Sequence, residues 1–155
     1  YDNIEVLIHP QSIVHSMVEY IDGSIIAQLG MPDMRLPIQY ALSYPSRWDI
    51  SFSSLDLAGK SLIFAEPDHR NFPSLSLAYR CGKIGGTLPA VMNAANEVCV
   101  HAFLARRIKY LEMYELVEQV CSDHQVSAAD NLEKILSADN WAREYSEELI
   151  RRRKK

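Results

Sequence analysis

The sequence predicts an α+β chain, a small β-hairpin sheet followed by a C-terminal helical bundle, and three observations carry that prediction. All six glycines and all seven prolines lie at or before Pro89. Residues 90–155 therefore contain neither of the strong local breakers, the mark of a helical half. Asp22-Gly23 sits between two runs rich in β-branched and apolar residues, a strong hairpin signal. Val91, Ala94, Ala95, Val98, Ala102 and Leu104 recur at helical spacing and make one broad apolar stripe.

Composition excludes several classes. At 155 residues, 48% hydrophobic and 23% charged with a formal net charge of −4, the chain is built like a globular domain with room for a core. No run approaches the roughly 18 apolar residues of a membrane span, so no membrane partner is expected. The opening "YDNIEVLIHP" lacks the basic and apolar regions of a signal peptide. It also lacks Met and enters a strand-like run at once, which reads as a chain beginning inside something larger. Cys81, Cys99 and Cys121 are 18 and 22 residues apart without a C-x-x-C pair, the pattern of reduced intracellular thiols rather than of a disulfide or zinc scaffold. The terminal "RRRKK" complements a helix C-terminus. No aromatic-interleaved basic stripe accompanies it, so nucleic acid is not an expected partner.

In chain order, "NIEVLI" reads as a short strand ending at Pro10. Residues 13–29 read as the hairpin. With Asp22-Gly23 as a two-residue loop, Tyr20 faces Ile25, Val18 faces Ala27 and Ser16 faces Leu29. One face then carries Val14, Ser16, Val18, Tyr20, Ile25, Ala27 and Leu29, a core face. The other carries Ile13, His15, Met17, Glu19, Ile26 and Gln28, too apolar for water and too polar for a sealed core. A turn at Pro32-Asp33 leads into a short helix with Asp33 as N-cap and Pro45 as stop. Residues 46–72 read as a long irregular connection. Pro73 opens a helix ending near Gly82, Thr87 caps the next, a third covers about Leu111–Cys121, and two more follow Ala128, the second capped by Ser137.

The candidate chemistry is sparse. His9 and His15 lie six residues apart with Pro10 between them, and neither has a metal-ligand partner at a recognised offset. Each is either a histidine satisfied within a sheet or a group that binds a phosphate or hydroxyl and moves a proton. His15, on the mixed face, is the stronger functional candidate. Met34 in "PDMR" either packs locally or lines a pocket for a flat ring with its adaptable thioether. Arg35 beside it could bind an anion, but a solvated side chain or a partner of Asp33 is the preferred reading. "NAANE" (93–97) either faces water or makes a buried hydrogen-bonded network, and Ala94 and Ala95, which permit close packing, favour the network. There is no glycine-rich dinucleotide loop, no phosphate loop, no nucleophile elbow and no obviously converging carboxylate pair.

Longer stretches are far more specific. "HPQSIVHSMV", "PDMR", "PIQYAL" and "PAVMNAANEV", within a match running through essentially the whole chain, closely resemble the C-terminal part of 1-deoxy-D-xylulose 5-phosphate reductoisomerases. The resemblance implies an NADPH-dependent enzyme of the non-mevalonate isoprenoid route. Such an enzyme converts a sugar phosphate, 1-deoxy-D-xylulose 5-phosphate, into 2-C-methyl-D-erythritol 4-phosphate with a divalent Mg or Mn ion. It also implies a cytoplasmic homodimer (plastid stroma in a plant or alga) and a mixed α/β catalytic domain ending at the hairpin. Residues 1–38 would finish that domain, 39–72 would be a connecting strap and 73–155 the bundle. Position by position, His15 matches the active-site histidine of "HPQSxxH", Met34 matches the methionine beside the nicotinamide, and His9 is left a structural role.

The departures matter too. The nucleotide loop and the "DSE" and Asn-Lys-x-x-Glu segments that would supply metal ligands and phosphate contacts are missing, and Leu36 stands where relatives often have Thr. The 155 residues alone are therefore expected to be inactive, with no metal site of their own. A free-standing dimerisation or interaction module derived from such an enzyme is the alternative.

Overall fold

A computed structural model describes residues 2–49 and 54–153. The elements are β1 (Val14–Glu19), β2 (Ile25–Leu29), α1 (Arg35–Ser43), α2 (Ser74–Ile84), α3 (Leu88–Leu104), α4 (Tyr110–Asp123) and α5 (Leu132–Arg153). They form two compact units: one is residues 5–67, and the other joins 68–155 to the first few residues.

In the first unit β1 and β2 form a two-stranded antiparallel sheet. Its register differs from the expectation by one residue: Val18 pairs with Ile26 and Glu19 with Ile25. The loop is the cause. Tyr20 N–H donates to Ser24 O at 2.9 Å and Gly23 N–H to Tyr20 O at 2.9 Å, with Gly23 at φ +80°. Three residues thus make a turn that ends in a left-handed glycine, where the sequence suggested two. A shift of one residue moves β2 to the other face of β1. Ile26 and Gln28 therefore stand beside Val18 and Ser16, while Ala27 and Ile25 stand beside Met17 and Glu19. Neither face is a core within this unit, for Val18, Ile25 and Ile26 are 56%, 58% and 62% exposed.

The strand expected over "NIEVLI" reduces to an isolated bridge between Ile8 and Ala65. Pro10 and a turn closed by Ser12 N–H to His9 O at 3.1 Å stop it from extending. The described residues between α1 and α2 contain no helix or strand.

In the second unit α3 is central and packs most extensively against α5 and α4. Val91, Ala94, Ala95 and Cys99 are fully buried, and Ala102 nearly so. Alanines on this face let α5 and α4 approach closely, with Leu116, Val120 and Ile150 filling the space, each burial stabilising by about 1.5–3 kcal/mol. Leu104 is not part of this stripe and is 69% exposed. It stands two residues beyond Ala102, roughly 200° around a 3.6-residue helix, and Cys99 takes the predicted core role in its place.

Two capping expectations also fail. Thr87 occupies the N-cap position of α3 without a cap hydrogen bond. Its hydroxyl lies 2.8 Å from His124 Nε2 and accepts the Ser127 N–H at 3.2 Å. The last stretch is one helix and not two, begun by Asn131, whose side-chain oxygen accepts the Lys134 N–H at 2.9 Å. Ser137 lies inside it, exposed. Ala138, Ala142, Ser146, Leu149 and Ile150 make one continuous buried face, so nothing breaks the helix.

Candidate active site

The candidate residues lie in the first unit, at the end of the hairpin remote from its loop. Val14 pairs with Leu29 and Ser16 with Gln28, so His15 is the extra residue of a β-bulge. A bulge leaves its residue unpaired and re-aims its side chain. The exposed imidazole points toward Gly30, where a Cβ would lie 3.9 Å from His15 Nε2, 3.3 Å from Gln28 Nε2 and 4.0 Å from Leu36 Cδ1. Gly30 is therefore a bare step around which an imidazole, a carboxamide and an isobutyl group converge. Its N–H donates to Ile13 O at 3.0 Å, fixing the corner, and Ile13 is the buried anchor of this stretch. Leu36, uninterpreted from sequence alone, supplies the apolar side of the cluster.

Met34 occupies the N-cap position of α1 and is 71% exposed. It is braced on both sides. Arg35 Nη2 contacts Asp33 Oδ2 at 2.5 Å, and Asp33 Oδ1 accepts the Arg35 N–H at 3.0 Å. Asp33, expected as the N-cap, instead lies one residue before the observed cap, Met34, and from there meets a first-turn donor of α1. The Arg35 side-chain hydrogen bond holds the Asp33 carboxyl down at about 2, so the pair stays ionised at neutral pH.

His9 has a different setting. Nδ1 lies 2.8 Å from Ile63 O, and because a carbonyl only accepts, Nδ1 carries the proton. The ring stacks on Phe64 at 4.7 Å and 17°. Gln11 Oε1 accepts the Ile63 N–H at 3.3 Å, while Ile8 and Ala65 exchange two backbone bonds. "HPQ" is a clamp on residues 63–65.

The "NAANE" patch departs from expectation. Asn93, Asn96 and Glu97 are exposed, and only the alanines between them are buried. Glu97 binds Arg143 at 2.7 Å, and Asp139 holds the same guanidinium at 2.7 Å, a surface network. The 3.6-residue period explains this: Ala94 and Ala95 face the core, which turns their neighbours outward.

Among the described residues no three His, Cys, Asp or Glu side chains converge as metal ligands. Nor is any helix among them long and apolar enough to cross a membrane. Burial disfavours the thiolate of all three cysteines: it pushes Cys81 up, Cys99 up to about 11 and Cys121 up to about 12.

Comparison with known proteins settles the kinship. A family model described as the DXP reductoisomerase C-terminal domain matches residues 29–145. The chain belongs to this family. The 1-deoxy-D-xylulose 5-phosphate reductoisomerase of Desulfitobacterium hafniense strain Y51 is 67% identical over 150 residues, covering 97% of this chain and 39% of the relative. That of Heliobacterium modesticaldum is 54% identical, with the same coverage. Among solved structures, the reductoisomerase from Zymomonas mobilis in complex with NADPH superimposes with a TM-score of 0.86 at 45% identity, covering 94% of this chain and 39% of that one. A DOX-P reductoisomerase in complex with NADPH, fosmidomycin and magnesium gives 0.88 at 38% identity, covering 96% and 39%. The chain thus spans about 39% of the length of the relatives it matches.

Sequence reasoning singled out His15 and Met34 but missed Gly30 and Gln28. A glycine closing a strand was the available signal for Gly30, since such a position marks close approach of another group. Gln28 gave none, because its role depends on the bulge.

Proposed function

We propose that this chain is the C-terminal portion of an NADPH- and divalent-metal-dependent reductoisomerase. The enzyme converts 1-deoxy-D-xylulose 5-phosphate to 2-C-methyl-D-erythritol 4-phosphate. The observation that carries the reading is the bulge at His15, which turns an imidazole out of the ladder and toward the open step at Gly30, within a chain of this family. There His15 hydrogen-bonds an oxygen of the sugar phosphate and holds or passes a proton. Met34, exposed and braced by the Asp33–Arg35 pair, fits the flat face of a nicotinamide ring. When bound, NADPH supplies the hydride that reduces the aldehyde intermediate. The residues described here do not fit a metal ion, and its ligands belong to segments outside this chain, as does most of the phosphate contact. Alone, the chain is inactive.

In this reading residues 1–38 complete the catalytic domain, 39–72 form the strap and 73–155 the bundle. The resemblance carries with it a homodimeric, cytoplasmic enzyme. The test is a chimera in which this chain replaces the matching 150 residues of the Desulfitobacterium hafniense relative. Oxidation of NADPH that depends on 1-deoxy-D-xylulose 5-phosphate and magnesium supports the reading. A folded chimera without turnover, beside an active parent, refutes it and leaves a non-catalytic module.

A further inference from the structure

The geometry points to His9 as a positioning residue for His15, acting through the clamp on residues 63–65 and the turn that launches β1. This inference rests on the reading above. Both polar groups of the Ile63 peptide are taken by side chains two residues apart: its carbonyl by His9 Nδ1 at 2.8 Å, its N–H by Gln11 Oε1 at 3.3 Å. Beside them Ile8 and Ala65 exchange bonds of 2.8 and 3.0 Å. Residues 8–11 are therefore fixed at four points, and the His9 ring adds its stack on Phe64.

That fixed segment leads directly to the bulge. His9 O accepts the Ser12 N–H at 3.1 Å, and Ser12 takes a left-handed conformation at φ +50°. A non-glycine residue there is held against its preference, so the surroundings must impose the turn. The turn delivers Ile13 into its buried seat, where its carbonyl receives Gly30 N–H, and His15 follows two residues on. Gly30 is the step that His15 Nε2 faces. His9, the turn, Ile13, Gly30 and His15 thus form one connected path.

A second feature sets His9 apart. With Nδ1 donating to Ile63 O, Nε2 is an acceptor, and it is buried with no hydrogen-bond partner among the described residues. A buried acceptor left unmet is costly, so such an atom calls for a reason. Holding the ring against both Ile63 O and Phe64 supplies one. The donor and the flat face are both used, and Nε2 is the atom left over.

The test uses the chimera with three variants. His9→Phe keeps the stack and removes the donor. His9→Asn removes the stack and keeps a donor near the Nδ1 position. His9→Leu removes both. Because a small displacement of a reacting group costs one to two orders of magnitude in rate, His9→Phe and His9→Leu should lower kcat about tenfold or more. KM for both substrates should stay within about twofold, and His9→Asn should recover most of the rate.

Hydrogen exchange read on the same proteins should show the Ser12 and Gly30 amides exchanging faster in His9→Phe than in the parent. Unchanged kcat in His9→Phe overturns the inference, as does equal impairment of Phe and Asn. A chimera inactive with His9 intact refutes the functional reading itself. The clamp then stands or falls on exchange: faster Gly30 exchange in His9→Phe upholds the path to the bulge, and unchanged exchange breaks it.

Discussion

Replacing Gly86 with alanine tests how the start of α3 is locked to the chain after α4. Gly86 has φ +56°, and a Cβ there would lie 2.4 Å from Ser127 O and 3.0 Å from Val126 Cγ1. An ordinary contact needs about 3.4 Å or more, so the Ser127 backbone must retreat by roughly 1 Å. That retreat stretches Thr87 N–H to Ser127 O, now 2.9 Å, and Ser127 N–H to Thr87 Oγ1, now 3.2 Å, beyond useful range. Two hydrogen bonds at about 0.5–1.5 kcal/mol each and left-handed strain of about 1–2 kcal/mol give a loss of about 2–5 kcal/mol. For a chain of this size each kcal/mol lowers Tm by about 2–4 °C.

The assay is thermal unfolding followed by circular dichroism, with Thr87→Val and the double variant alongside. Because Gly86→Ala already breaks what Thr87→Val removes, the double variant should cost less than the sum of the two. A loss below about 1 kcal/mol in Gly86→Ala, or strict additivity, would refute the reasoning.

Other outcomes follow from the same structure. Leu116, fully buried on α4 in the bundle core, should cost about 2–5 kcal/mol as Leu116→Ala in denaturant unfolding. His124, paired with Thr87 and set against Trp141 at 5.0 Å, has its pKa lowered by burial. The unfolded chain therefore binds the proton more tightly. The stabilisation is full above about 6.5 and is lost as pH falls through the lower folded value. Melting curves from pH 7.5 down to 5 should show this decline in the parent and a flatter one in His124→Asn. All three thiols are buried, so an aromatic disulfide reagent should find none accessible in the native chain and all of them after unfolding. Rapid native labelling would contradict the packing around α3. Arg35→Ala removes the main cause of the low Asp33 pKa, so titration of that carboxyl by NMR should move up toward the ordinary range.

The bundle was legible because its signals are local. An apolar period along α3 and the absence of breakers after Pro89 each determine their own segment, and the structure keeps them. What failed depended on partners. The hairpin register turned on one extra loop residue, Ile21, which no alternation rule detects when apolar residues occur on both faces of both strands. Thr87 and Ser137 carried helix-cap chemistry, but Thr87 was claimed by His124 and Ser127 from across the unit, and Ser137 fell inside a helix that Asn131 had already begun. The polar residues of "NAANE" were misread because alanine spacing shows where the core is and not what faces away from it. At the site, His15 and Met34 stood out through long motifs. Gly30 and Gln28 stayed hidden, because their meaning comes from a bulge that brings residues 15, 28, 30 and 36 to one corner.

The most direct test of the central claim is turnover of the chimera with His15 replaced by asparagine, measured beside the chimera that retains it. If His15 contacts the sugar phosphate and handles a proton, kcat should fall by about 10²–10⁴-fold, with the melting temperature unchanged because the side chain is exposed and outside the ladder. Turnover within about twofold of the parent would show that the bulge presents His15 to nothing in the reaction, and the active-site reading of this chain would fall.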